Sequence, residues 1–154
     1  MKKRKLLLVV LCFVMLFMVT GCGKKTVLSS DEFKAKASEL GYTSKDAKDQ
    51  FAKDDYIKEV TLAINSKGFQ AEFYVFADKN SAVSVFNTNK TKFENSKEEK
   101  SLESSSSMAN YSAYSLVSGE KYMHICRVED TMLYVDVEEQ YKDEVQKLIK
   151  ELGY

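Results

Sequence analysis

Leu6 to Val19 is an unbroken apolar run of 14 residues, entered directly from Lys2-Lys3-Arg4-Lys5 and left through Thr20-Gly21-Cys22. As a helix the run is about 21 Å long at 1.5 Å per residue, and a bilayer core takes roughly 20 residues. A basic start, a short apolar core and small residues ahead of a cut form the pattern of a secretory leader, not of a spanning helix. Removal of the leader leaves residues 22 to 154 to fold, the length of one domain. Cys12 leaves with it.

Val19-Thr20-Gly21-Cys22 resembles the lipobox of bacterial lipoproteins, and the resemblance covers residues 1 to 22. It implies that the Cys22 thiol receives a diacylglyceryl group and that a dedicated peptidase cuts just before it. Two acyl chains hold a protein stably on a membrane, where one is marginal. The expected organisation is a signal peptide over 1–21, a lipidated Cys22 with a short tether over 22–27, and a single α+β domain over 28–154. Gly23 to Val27, fully extended, reaches about 18 Å, so the domain is expected close to the extracytoplasmic face of the cell membrane. Cys126 is then without a partner, and the fold must rest on its core, not on a disulfide.

Charge narrows the partners. Four of the 23 basic residues precede Cys22, which leaves 19 against 23 acids in the remainder. A slightly acidic domain argues against nucleic acid and against a polybasic lipid-binding surface.

The pattern of apolar residues implies the order α-(α)-ββ-α-βββ-α. Leu28-Ser29-Ser30-Asp31-Glu32-Phe33 opens a helix, with Ser29 and Glu32 as a capping box and Leu28 packing on Phe33. Gly41 ends it. Ser44 to Asp54 is expected as a second short helix. Tyr56–Asn65 and Phe69–Ala77 alternate like the arms of a hairpin. Pairing Ile64 with Phe69 brings Val60, Leu62 and Ile64 onto one face with Ala71, Phe73 and Val75, and leaves Thr61, Gln70, Glu72 and Tyr74 wet. Asp78 caps a helix that runs to about Phe93, with Ala82, Val83, Phe86 and Phe93 inward. Glu94 to Ser107 is expected as a fraying helix end and a mobile loop. Three strands, 110–117, 121–128 and 131–137, form a meander, and Glu138 to Leu152 closes the chain as a helix ended by Gly153. The fold class is α+β: one antiparallel sheet of about five strands with helices on one face. Glu39-Leu40-Gly41-Tyr42 recurs as Glu151-Leu152-Gly153-Tyr154, which reads as two similar helix ends.

The residues offer little chemistry. His124, the only histidine, and Cys126 share a strand face, side by side, a poor geometry for a nucleophile and its base. They fall on the face of Leu133, Val135 and Val137, opposite Ala113 and Ser115, and are expected as core residues. One His and one Cys fall short of a metal set. Acidic pairs such as Asp54-Asp55 and Glu138-Glu139 sit at turns and helix starts, where acids cap or stay solvated. No glycine-rich phosphate loop or EF-hand spacing is present. No catalytic residue, metal or cofactor is therefore assigned.

The candidate binding face is the second face of the meander, which carries Tyr114, Leu116, Met123, Ile125, Arg127, Met132 and Tyr134. Either another element covers it or it is exposed, and an exposed patch of this kind marks an interface. The functional expectation is a non-enzymatic module, anchored through Cys22, that binds a protein, peptide or other envelope component. The alternatives are a small enzyme or enzyme accessory with a site in a sheet cleft, and a self-associating structural protein of the envelope.

Overall fold

A computed structural model of the chain describes residues 24–154, so Cys12, Cys22 and the whole of the expected leader lie outside the described residues. Among the described residues no helix is long and apolar enough to cross a membrane.

The architecture is α+β, built on one antiparallel sheet. Helix α1 (Ser30–Glu39) begins as its sequence requires. The Ser29 backbone N–H donates to Glu32 Oε2 at 2.8 Å, and the Glu32 N–H donates to Ser29 Oγ at 3.3 Å. At the other end Gly41 takes φ +81°, and the Tyr42 N–H reaches back to the Ala37 carbonyl at 3.0 Å. The last helix, α3 (Lys142–Leu152), ends in the same way: Gly153 has φ +78° and the Tyr154 N–H bonds to the Ile149 carbonyl at 3.1 Å. The repeated Glu-Leu-Gly-Tyr is thus one helix-ending device used twice. A short 3₁₀ turn, Glu139–Tyr141, precedes α3 where a continuous helix is expected.

Among the described residues the sheet has seven strands, not about five. They are β1 (Thr43–Asp46), β2 (Ile57–Ile64), β3 (Gln70–Phe76), β4 (Leu102–Met108), β5 (Tyr111–Ser118), β6 (Lys121–Val128) and β7 (Thr131–Glu138), in the spatial order β1-β2-β3-β7-β6-β5-β4. Both additional strands are edges. Thr43–Asp46 pairs with Ile64–Thr61, and a 3₁₀ turn, Lys48–Phe51, takes the place of the expected second helix. Asp46 sets this turn by accepting the Lys48 N–H at 2.8 Å. Leu102–Met108 is a strand where a mobile loop is expected. Every one of its residues is exposed, so it carries no apolar alternation to betray it.

The β2–β3 register differs from expectation by one residue. Asn65 to Phe69 forms the loop, with Gly68 at φ +93° donating to the Asn65 carbonyl at 2.9 Å. Ile64 therefore faces Gln70, Leu62 faces Glu72 and Val60 faces Tyr74. A shift of one position exchanges faces. Thr61 and Ala63 lie with Ala71 and Phe73 on one side, while Val60 and Leu62 lie with Tyr74 on the other.

Both faces of the sheet are covered, which corrects the expectation of helices on one face. On the first face α1 and α3 pack against Ala71, Phe73, Cys126, Leu133 and Val135, with the rings of Phe33 and Phe73 stacked at 4.7 Å. On the second face lies helix α2 (Lys79–Asn95), capped by Asp78, which accepts the Ser81 N–H at 2.9 Å. Its Ala82, Phe86 and Phe93 are buried against Val60, Tyr74, Tyr114, Leu116, Ile125 and Met132. The topology dictates this position. β3 and β4 lie four strands apart and run parallel, so the connection must cross the faces of β7, β6 and β5, and the crossing helix covers them.

Candidate functional site

Helix α2 packs mainly on β6 and β7, and the 3₁₀ turn packs on β2. Between the two the second face of the sheet is left partly open, as a cleft of about 700 Å³. Its floor is Tyr74 from β3 and Met132 and Tyr134 from β7. One wall is Phe51, Asp54, Tyr56 and Ile57, the other the outer stripe of α2 from Ser81 to Lys92. Ser81, Ser84, Val85, Thr88 and Lys92 recur at three- and four-residue intervals, so a single helical stripe faces the opening.

Aromatic rings define the cleft. Phe51 meets Tyr74 edge-on, with centroids 5.6 Å apart and planes at 81°, and Tyr74 lies on Phe76 at 6.0 Å. Tyr134 leans on Phe93 at 5.4 Å. Tyr56 is 42% exposed, one of few large apolar side chains so placed among the described residues. The charges around these rings are two carboxylates, Asp54 and Glu72, and one ammonium, Lys92. The Tyr74 hydroxyl donates to Glu72, whose other oxygen accepts from Gln70 Nε2 at 3.1 Å. Burial, then the hydrogen bond to Glu72, pushes the Tyr74 phenol well above its ordinary range. Burial, reinforced by the charges of Asp136 and Glu72, pushes Tyr134 up to about 12. Both phenols are therefore neutral hydrogen-bonding groups at ordinary pH. On the opposite wall Thr88 donates to the Ser84 carbonyl at 3.0 Å and Asn89 to the Val85 carbonyl at 2.9 Å, which holds their side chains along the helix.

The expected binding face divides between cover and cleft. Tyr114, Leu116, Met123, Ile125 and Met132 lie in the core beneath α2, and Arg127 is buried beside them, donating to the Glu129 carbonyl at 3.0 Å. The face is thus covered, and the helix that covers it is α2. Only Met132 and Tyr134 of the seven reach the cleft. Reasoning from sequence missed Phe51, Glu72, Tyr74 and the α2 stripe. An aromatic Tyr74 on a face expected to be wet is the one signal that could have found them.

His124 and Cys126 lie on the α1/α3 face, as expected of core residues. The His124 Nδ1 lies 2.7 Å from Ser115 Oγ on β5, and burial pushes the imidazole down to about 4. A base that weak is poorly matched to activating a hydroxyl at neutral pH. Among the described residues, His124 Nε2 has no partner that could orient it. Cys126 is fully buried, and burial pushes its thiol up. Among the described residues no three His, Cys, Asp or Glu side chains converge to hold a metal ion.

No protein-family model, curated protein or solved structure matches the chain.

Proposed function

We propose that this chain is a lipid-anchored, extracytoplasmic binding module, non-enzymatic, which takes a small organic ligand into the cleft between α2 and the 3₁₀ turn. The cleft carries the reading. It is open, about 700 Å³ in size and lined by aromatic rings with a few polar groups, the usual make-up of a small-molecule site. Its chemistry favours one ligand class. Ring faces attract cations, and Asp54 and Glu72 outnumber Lys92, so a ligand with an apolar body and a cationic head fits better than an anion. The anchoring rests on the lipobox-like residues ending at Cys22.

The test uses benzyltrimethylammonium and benzenesulfonate as paired probes in thermal melts of the chain and of Ser84→Trp, which places a bulky ring at the mouth of the cleft. The cation should raise the midpoint of the parent in proportion to its concentration, and neither probe should move Ser84→Trp. Stabilisation by both probes equally, or of both proteins equally, contradicts the cleft as a cation-selective site.

A further inference from the structure

We infer that β4 is a pairing edge for a second copy of this chain, joined edge to edge in an antiparallel two-fold centred on Ser105. Among the described residues β4, a seven-residue strand, pairs only with β5, and all seven of its residues are exposed. In an antiparallel ladder alternate residues point their N–H and C=O groups away from the partner strand, so the outer side of β4 offers a row of free backbone groups. Chains guard such edges with lysine, proline, bulges or shortness. The opposite edge follows this rule, since β1 has four residues and carries Lys45 and Asp46. β4 does not. It has no lysine, proline or glycine, and its one charge, Glu103, is taken up within the chain by Lys97 and by the Tyr114 hydroxyl at 2.8 Å.

The occupant is specified by the sequence of the strand itself. Leu102-Glu-Ser-Ser-Ser-Ser-Met108 has an apolar residue at each end and serines through its centre. Turned about Ser105 and laid against itself, it sets Leu102 opposite Met108 of the second copy and Met108 opposite Leu102. Among the described residues these are two of the four large apolar side chains left exposed, at 74% and 47%, and they point to the same face because they are six residues apart. Glu103 falls opposite a serine, so no like charges meet. The axis of such a pairing is perpendicular to the sheet and keeps the same face of both copies on the same side. The first of the described residues lie on the α1/α3 face. Lys25 is held by Asn110 in the β4–β5 turn through bonds of 3.0 and 2.8 Å, sits over the Tyr111 ring at 4.4 Å and reaches the Gly153 carbonyl at 2.7 Å. Two copies paired in this way present both tethers to one surface, which suits two chains held on one membrane.

The test is oxidative cross-linking of the full chain in its native membranes, read on a non-reducing gel. In the proposed register Ser105→Cys faces itself at a Cα separation of about 5 Å, within disulfide reach. Ser107→Cys, equally exposed, is four residues out of register with itself, about 13 Å away. Ser105→Cys should give at least tenfold more covalent dimer than either Ser107→Cys or the parent, which controls for the native cysteines. Adding Leu102→Lys should reduce that dimer severalfold. Equal cross-linking at positions 105 and 107, or no more dimer from Ser105→Cys than from the parent, overturns the pairing. Since β4 lies away from the cleft, either result leaves the ligand reading to its own test.

Discussion

Ser115 Oγ and His124 Nδ1 lie 2.7 Å apart across β5 and β6, and the imidazole is held neutral by burial, its pKa down to about 4 from an ordinary 6.5. The pair is a pH-dependent element of stability. The unfolded chain takes up a proton at His124 as pH falls through 6.5, while the folded chain does not until about 4. Stability from this group is therefore complete above pH 6.5 and is lost between there and about 4, up to about 3 kcal/mol at 1.36 kcal/mol per unit. Denaturant melts of the parent and of His124→Gln at pH 7.5 and pH 4.5 should differ in how far the midpoint falls with pH. The parent should lose more stability on acidification than the variant, and parallel losses contradict a buried neutral His124.

Ile125 is fully buried beneath α2. Ile125→Lys puts an unpaired ammonium there and should destabilise by on the order of 4 kcal/mol or more. Leu62→Ala and Val135→Ala, on opposite faces of the sheet, should each cost about 2–3 kcal/mol. A chain with helices on one face only would show a large loss for Val135→Ala and a small one for Leu62→Ala. Urea melts distinguish the two patterns.

Cys126 should react with a maleimide slowly in the folded domain and quickly in denaturant, since it is fully buried and its thiol is pushed up, away from the reactive thiolate. Rapid labelling of the folded protein means that the α1/α3 face opens.

Cys22→Ala should abolish incorporation of radiolabelled fatty acid and leave an unprocessed precursor in the membrane fraction. Label still entering Cys22→Ala contradicts the anchor.

What could be read from sequence follows burial. Ser29, Glu32, Asp78, Gly41 and Gly153 act locally, within a few residues, and their capping roles are as legible in the sequence as in the structure. The three meander strands, β5, β6 and β7, carry apolar residues on both faces and are equally plain. The same property hides the β2–β3 register, because with both faces buried neither Val60 nor Thr61 marks an outside, and only the geometry of the Asn65–Phe69 loop decides. β4 is the converse case. Nothing on Ser104 to Ser107 is buried, so the strand exists by pairing with β5 alone. The cleft was illegible for a third reason: Phe51, Tyr74 and Val85 come from three elements whose meeting depends on where α2 crosses the sheet.

A cation-headed ligand is proposed to enter between α2 and the 3₁₀ turn, over Tyr74 and Tyr134. The most direct measurement is a titration with benzyltrimethylammonium followed in ¹H–¹⁵N NMR spectra of a chain begun at Lys24. The expected result is saturable shifts confined to residues 51–57, 72–74, 81–92 and 132–134, matched by none with benzenesulfonate. Shifts scattered over the surface, or an equal response to the anion, would contradict it.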